Sequence, residues 1–75
     1  LASDLGAENI RVNAISAGPI KTLASAGIPH FKDMLSAFAE KAPLRRNVST
    51  EDVANCALFY LGHLGNGITG EVTYV

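Results

Sequence analysis

The chain lacks most of the devices that let a small protein stand alone. Its 75 residues contain a single cysteine, Cys56, so no internal disulfide can form. Neither that cysteine nor His30 and His63 fall at zinc-ligand spacing, which leaves no metal site to expect and suits a reducing compartment. Charge of one sign is missing too: six Lys and Arg face seven Asp and Glu for a net charge of −1, which argues against nucleic acid as a partner. No apolar run is long enough to span a membrane, and no secretory signal is visible. There is no glycine-rich phosphate fingerprint and no Tyr-x-x-x-Lys pair. Glu51 and Asp52 are explained by a helix start, so no carboxylate pair points to acid–base work.

Size adds a further bound. A domain near this length buries only about 60% of the surface its unfolded chain exposes, so stability alone would be marginal. Leu1 is not an initiator Met, and Leu1-Ala2-Ser3-Asp4-Leu5-Gly6 has the pattern of a last helical turn closed by a glycine. At the other end Glu71-Val72-Thr73-Tyr74-Val75 alternates like a strand with no turn residue after it. The expectation is a stretch truncated at both ends, folding only weakly by itself.

What is present is a strand running into a turn. Ile10-Arg11-Val12-Asn13-Ala14-Ile15 alternates as a strand with one covered face, and Ala17-Gly18-Pro19 ends it. Residues 22–27 form at most one loose helical turn. From His30 to Lys41, Phe31, Met34, Leu35 and Phe38 recur at i, i+3, i+4 and i+7, the spacing of one helical face. Pro43 closes that helix, and residues 43–48 form an extended connection. Ser49 and Asp52 have capping-box spacing before a second helix, on which Val53, Ala57, Leu61 and Leu64 make a stripe; Gly62, Gly65 and Gly67 break it. Strand, loop, helix, helix, strand is the order of a crossover between neighbouring parallel strands. The fold class is therefore α/β, the C-terminal part of a doubly wound parallel-sheet, Rossmann-like domain.

In such sheets ligands sit beyond the carboxyl ends of the strands. Thr22 then has two readings, a contact to a carboxamide or phosphate oxygen, or a local cap hydroxyl. Ile28, Phe31 and Met34 have two as well, an apolar ligand wall or ordinary packing. Arg45 and Arg46 read as structural, and Cys56 as a small packing residue in a helix.

The run Arg11-Val12-Asn13-Ala14-Ile15-Ser16-Ala17-Gly18-Pro19-Ile20-Lys21-Thr22-Leu23-Ala24 resembles the short-chain dehydrogenase/reductase superfamily, and within it the NADH-dependent enoyl-acyl-carrier-protein reductases. The order Ala-Gly-Pro discriminates, since most short-chain dehydrogenases carry Pro-Gly. Pro43-Leu44-Arg45-Arg46, Glu51-Asp52-Val53 and Gly67-Ile68-Thr69-Gly70-Glu71-Val72 extend the similarity over essentially the whole chain. The resemblance implies that Ile20, Lys21, Thr22, Leu23 and Ala24 form the NADH wall. It implies that Ala24, Ile28, Phe31 and Met34 line the site of an enoyl thioester carried on acyl carrier protein. The catalytic tyrosine and lysine would lie upstream, so no catalytic residue is expected here and the chain alone should be inactive. A homotetramer in the bacterial cytoplasm or a plastid is implied for the whole protein. Two competing readings are another short-chain reductase, such as a 3-oxoacyl-acyl-carrier-protein reductase, and a non-catalytic binding or assembly module.

Overall fold

The computed structural model describes residues 1–22 and 25–75. In chain order these hold α1 (Ala2–Leu5), β1 (Ala14–Ser16), α2 (Phe31–Lys41), α3 (Thr50–Leu61) and β2 (Val72–Tyr74), with single 3₁₀ turns at Gly6–Glu8, Ser25–Gly27 and His63–Gly65. β1 and β2 pair in parallel, with Ala14 opposite Val72, Ile15 opposite Thr73 and Ser16 opposite Tyr74. A parallel pair needs a long crossover, and α2 and α3 supply it. α3 packs against β1.

The first helix ends at Leu5 with Gly6 as its cap, as expected, but the glycine is not left-handed. Gly6 has φ −58° and leads into a 3₁₀ turn, and the left-handed residue that ends it is Asn9, at φ 62°. Asparagine tolerates that conformation at small cost, so it replaces the glycine as terminator. The strand expected over residues 10–15 is shorter and shifted. Val12 and Asn13 spend their polar groups on the turn before β2 instead of a ladder. Val12 N–H donates to Thr69 Oγ1 at 3.1 Å and its carbonyl accepts from Gly70 N–H at 2.8 Å. Asn13 Nδ2 donates to the Ile68 carbonyl at 3.0 Å, while Asn13 Oδ1 accepts from Glu71 N–H at 3.1 Å.

α2 begins and ends as its apolar spacing predicts. The extended connection expected after it is instead a turn, with Arg45 N–H donating to the Ala42 carbonyl at 2.8 Å and Arg45 at φ 55°. Both arginines serve local structure. Arg45 Nη1 returns to the Ala42 carbonyl, and Arg46 Nη1 lies 2.7 Å from Asp52 Oδ2.

α3 starts on a complete capping box: Ser49 Oγ accepts from Asp52 N–H at 3.1 Å and Asp52 Oδ2 accepts from Ser49 N–H at 2.9 Å. Its inward face differs from the expected stripe. Val53, Cys56, Ala57 and Tyr60 are partly covered, whereas Leu61 and Leu64 are 82% and 70% exposed. The helix ends at Leu61 in an extended Gly62, so Leu64 falls outside its period. The chain then folds back so closely that a β-carbon on Gly65 would stand 2.8 Å from the carbonyl oxygens of Phe59 and Tyr60. Only glycine fits there. Arg11 bridges the same place, its Nη1 donating to the carbonyls of Tyr60 at 2.7 Å and Gly65 at 2.8 Å.

Little of the apolar surface is covered. Phe31, 8% exposed, is the buried hydrophobic among the described residues, and a dozen large apolar side chains stand open to solvent. The radius of gyration is 15.4 Å, against about 11 Å for a compact domain of this length. A wide, open hollow of about 340 Å³ lies between β1 and α3, lined by residues including Ile15, Ala57 and Tyr60.

Candidate functional site

The site begins where the sheet ends. Beyond Ser16 the chain remains tied to β2, since Gly18 N–H donates to the Val75 carbonyl at 3.0 Å and Val75 N–H donates to the Ser16 carbonyl at 3.0 Å. This fixes the Gly18-Pro19 turn directly beyond the carboxyl ends of both strands. Ile20 is then partly covered, and Lys21 and Thr22 are exposed. Leu23 and Ala24, the remaining residues of the expected cofactor wall, lie outside the described residues, as does the substrate role expected of Ala24.

Thr22 is held by one partner. Its N–H donates to Ser25 Oγ at 2.7 Å, its Oγ1 lies 3.1 Å from the same hydroxyl, and Ser25 N–H donates back to Thr22 Oγ1 at 3.1 Å. Ser25 Oγ also lies within hydrogen-bond distance of the Ile20 and Thr22 carbonyls. With one proton, Ser25 donates to only one of these at a time. Thr22 thus caps the 3₁₀ turn at Ser25–Gly27, the local reading of its hydroxyl. Ser25 did not emerge from the sequence as a site residue, although Thr22-x-x-Ser25 has hydroxyl-cap spacing.

The 3₁₀ turn leads into α2 through Ile28, whose carbonyl accepts from Phe31 N–H at 3.3 Å. Lys21, Ile28, His30, Phe31, Lys32 and Leu35 together line an open hollow of about 270 Å³. It brings together one residue expected on the cofactor wall, Lys21, and two expected on the acyl wall, Ile28 and Phe31. Met34 does not join them. It lines a separate depression of about 260 Å³ with Ala37, Phe38 and Lys41. At about 100° per residue, Leu35 and Met34 fall on opposite edges of the apolar stripe, with Phe31 and Phe38 between them.

Charge at the rim is mixed. Lys21 and Lys32 supply two ammonium groups, and the exposed His30 Nδ1 and Asp33 Oδ2 lie 3.7 Å apart. Among the described residues no group of three metal-ligating side chains occurs, and no helix is long and apolar enough to cross a membrane. What the hollow offers is apolar side chains, two ammonium groups beside an acidic one, and a hydroxyl on the residue next to Lys21. That combination fits a ligand with an apolar portion and an anionic or amide portion.

A family model described as enoyl-(acyl carrier protein) reductase matches residues 1–75. The enoyl-(acyl-carrier-protein) reductase (NADH) FabI of Haemophilus influenzae is 60% identical over 75 residues, which are 100% of this chain and 29% of that protein. The protein of the same name from Rickettsia prowazekii is 56% identical over the same spans. Among solved structures, the Bacillus cereus enoyl-acyl carrier protein reductase with NADP+ and indole naphthyridinone superposes with a TM-score of 0.92. It is 49% identical and covers 99% of this chain and 29% of that one. The Anaplasma phagocytophilum reductase in complex with NAD gives a TM-score of 0.83 at 44% identity, over 97% of this chain and 25% of that one. The two-stranded parallel sheet with its helices is thus part of a Rossmann-like arrangement, and the chain spans 29% of the length of the curated relatives it matches. It belongs to the enoyl-(acyl carrier protein) reductase family.

Proposed function

We propose that this chain contributes the cofactor wall and the acyl wall of an enzyme that reduces a trans-2-enoyl thioester, carried on acyl carrier protein, with NADH in fatty acid synthesis. The observation that carries the reading is the hollow beyond β1, where Lys21 meets Ile28 and Phe31, in a chain 60% identical to a reductase named for NADH. Of the two reductase readings the enoyl one is favoured over the 3-oxoacyl one by the names of these relatives.

The exposed Lys21 ammonium and Thr22 hydroxyl suit the phosphate and amide groups of a dinucleotide, and Ile20, Leu23 and Ala24 would complete that wall. The hydride would come from NADH. Ile28 and Phe31 offer apolar surface to an acyl chain, and burying a side chain such as Phe31 is worth about 1.5–3 kcal/mol, which keeps that wall in place. Met34 would serve the acyl chain only from the far edge of the stripe. No catalytic group is assigned to this chain, and alone it should not turn over. We read the whole protein as a homotetramer, as the family resemblance implies. We place the whole protein in the cytoplasm.

The test is NADH oxidation with a crotonyl thioester by the whole protein and by the 75-residue chain. Turnover by the whole protein alone is expected, whereas reduction of a 3-oxoacyl thioester in its place would overturn the assignment. Thr22→Val and Ser25→Ala, which each break the hydroxyl pair, should raise KM for NADH by about five- to tenfold, with kcat changed less. An unchanged KM in both would remove Thr22 from the cofactor wall.

A further inference from the structure

Gly65, Asn66 and Gly67 turn the chain ahead of β2, on the amino side of both strands and away from the hollow at Lys21. Asn66 has helical backbone angles, φ −55° and ψ −31°, and Ile68 N–H closes the turn on the Gly65 carbonyl at 3.0 Å. Arg11 donates to that same carbonyl. Asn66 and Gly67 are both exposed. Asn9, Asn13, Asn47 and Asn55 precede residues that carry a β-carbon, whereas Asn66 precedes glycine. Asn13 and Asn47 spend their carboxamides on main-chain carbonyls. Among the described residues nothing bonds to the carboxamide of Asn66 or to the Gly67 N–H.

From this arrangement we propose that Asn66 is a site of spontaneous covalent modification, deamidation through a cyclic imide, with water as the co-reactant. The Gly67 nitrogen gives its proton to solvent and attacks Asn66 Cγ; the Cγ–Nδ2 bond breaks and the amide leaves as ammonia. Water then opens the five-membered imide at either carbonyl, which leaves aspartate or, where the original peptide bond is the one broken, isoaspartate. The missing β-carbon on Gly67 keeps the attacking nitrogen uncrowded. The ring closes only when that nitrogen swings round to eclipse Asn66 Cβ, which the helical ψ does not allow, so reaction waits on local opening of the turn. Arg11 and Ile68 hold the turn shut through the Gly65 carbonyl. Arg11 also lines the same open hollow of about 180 Å³ as Asn66 and Gly67, so the new carboxylate forms beside its guanidinium and competes for it. The isoaspartyl product adds a main-chain carbon inside the turn and loosens the tie between β1 and α3.

The experiment incubates the whole reductase in mildly alkaline buffer at a temperature where it stays folded. Mass spectrometry follows the proteolytic fragment carrying Asn66 for exchange of the amide nitrogen for oxygen, beside a synthetic peptide of residues 60–72. The synthetic peptide should convert first and the whole protein more slowly, with Asn66 ahead of Asn9, Asn13, Asn47 and Asn55. Arg11→Met should speed conversion at Asn66 about tenfold, the effect of one lost charged hydrogen bond on the population of the open turn. Gly67→Ala places its methyl group in open space and has no positive φ to satisfy. It should slow conversion severalfold and leave the thermal midpoint unchanged. Three results would overturn the proposal: Asn66 intact in wild type and Arg11→Met alike long after the synthetic peptide has converted, another of these asparagines converting first, or equal rates in wild type and Arg11→Met. None of these readouts depends on NADH or a thioester, so they stand apart from success or failure of the function proposed above.

Discussion

The Arg11 guanidinium donates to the Tyr60 carbonyl at 2.7 Å, across 49 positions of sequence. It joins the approach to β1 to the end of α3, where the last carbonyls of a helix lack partners within the helix. The second acceptor, the Gly65 carbonyl at 2.8 Å, ties in the chain that folds back toward β2. One side chain thus holds three segments in register.

Arg11→Met should lower the stability of the whole protein by about 2 kcal/mol, because hydrogen bonds from a charged donor are lost and two carbonyls are left to water. Arg11→Lys should recover only part, since the ammonium sits on a more flexible stem and is more strongly hydrated than the guanidinium. Thermal unfolding of the three proteins decides the matter, and an Arg11→Met midpoint equal to wild type would mean the bridge contributes nothing.

Gly65→Ala should be among the most damaging small changes in the chain. Its methyl group would stand 2.8 Å from two backbone oxygens, which no side-chain rotation can relieve, and overpacking of this kind costs about 1–3 kcal/mol. Gly6→Ala is the matched contrast. Gly6 has an α-helical φ of −58° and nothing within 4 Å of the new methyl, so alanine should stabilise by about 0.5–1 kcal/mol through the unfolded chain. Equal midpoint shifts for the two variants would contradict the close approach.

The Asp52 carboxyl is held down at about 2. The hydrogen bond from Arg46 is the largest cause, followed by the backbone N–H of Ser49. Since the unfolded chain takes up this proton near about pH 4, it binds more protons than the folded state between about pH 4 and about pH 2. Stability therefore rises with pH across that window. The contribution is fully present above it and is lost as pH falls through about 2. The pair lies at the surface and salt should weaken it. The acid limb of a thermal-midpoint curve should be flatter in Asp52→Asn than in wild type, and the difference should shrink in added salt; parallel limbs would contradict the pairing.

Local signals were legible in the sequence because they act over three or four residues. The Ser49–Asp52 capping box, the start and end of α2, and the parallel crossover all follow from such patterns. The sequence admits two readings of Thr22, and its bonds to Ser25 show the local one. The rest depended on distant partners. Arg11 and Asn13 bond to groups more than 48 positions away, and the Phe38–Gly18 contact joins residues that no periodicity relates. Residues 43–48 turn instead of extending because Arg45 is left-handed, a conformation usual for Asn or Gly and unmarked in the sequence at an arginine.

The carboxamide of Asn13, which donates to Ile68 and accepts from Glu71, imitates a peptide unit. It presents one N–H and one C=O toward a neighbouring chain, as a strand residue would with its own backbone. The pairing of β1 with β2 thereby gains a rung built from a side chain, set between the main-chain bonds from Gly70 N–H to the Val12 carbonyl and from Ala14 N–H to the Glu71 carbonyl. Aspartate in its place would set a carboxylate against the Ile68 carbonyl, and leucine would offer neither group. Of the side chains with this reach, asparagine alone can splice the two segments from both directions at once.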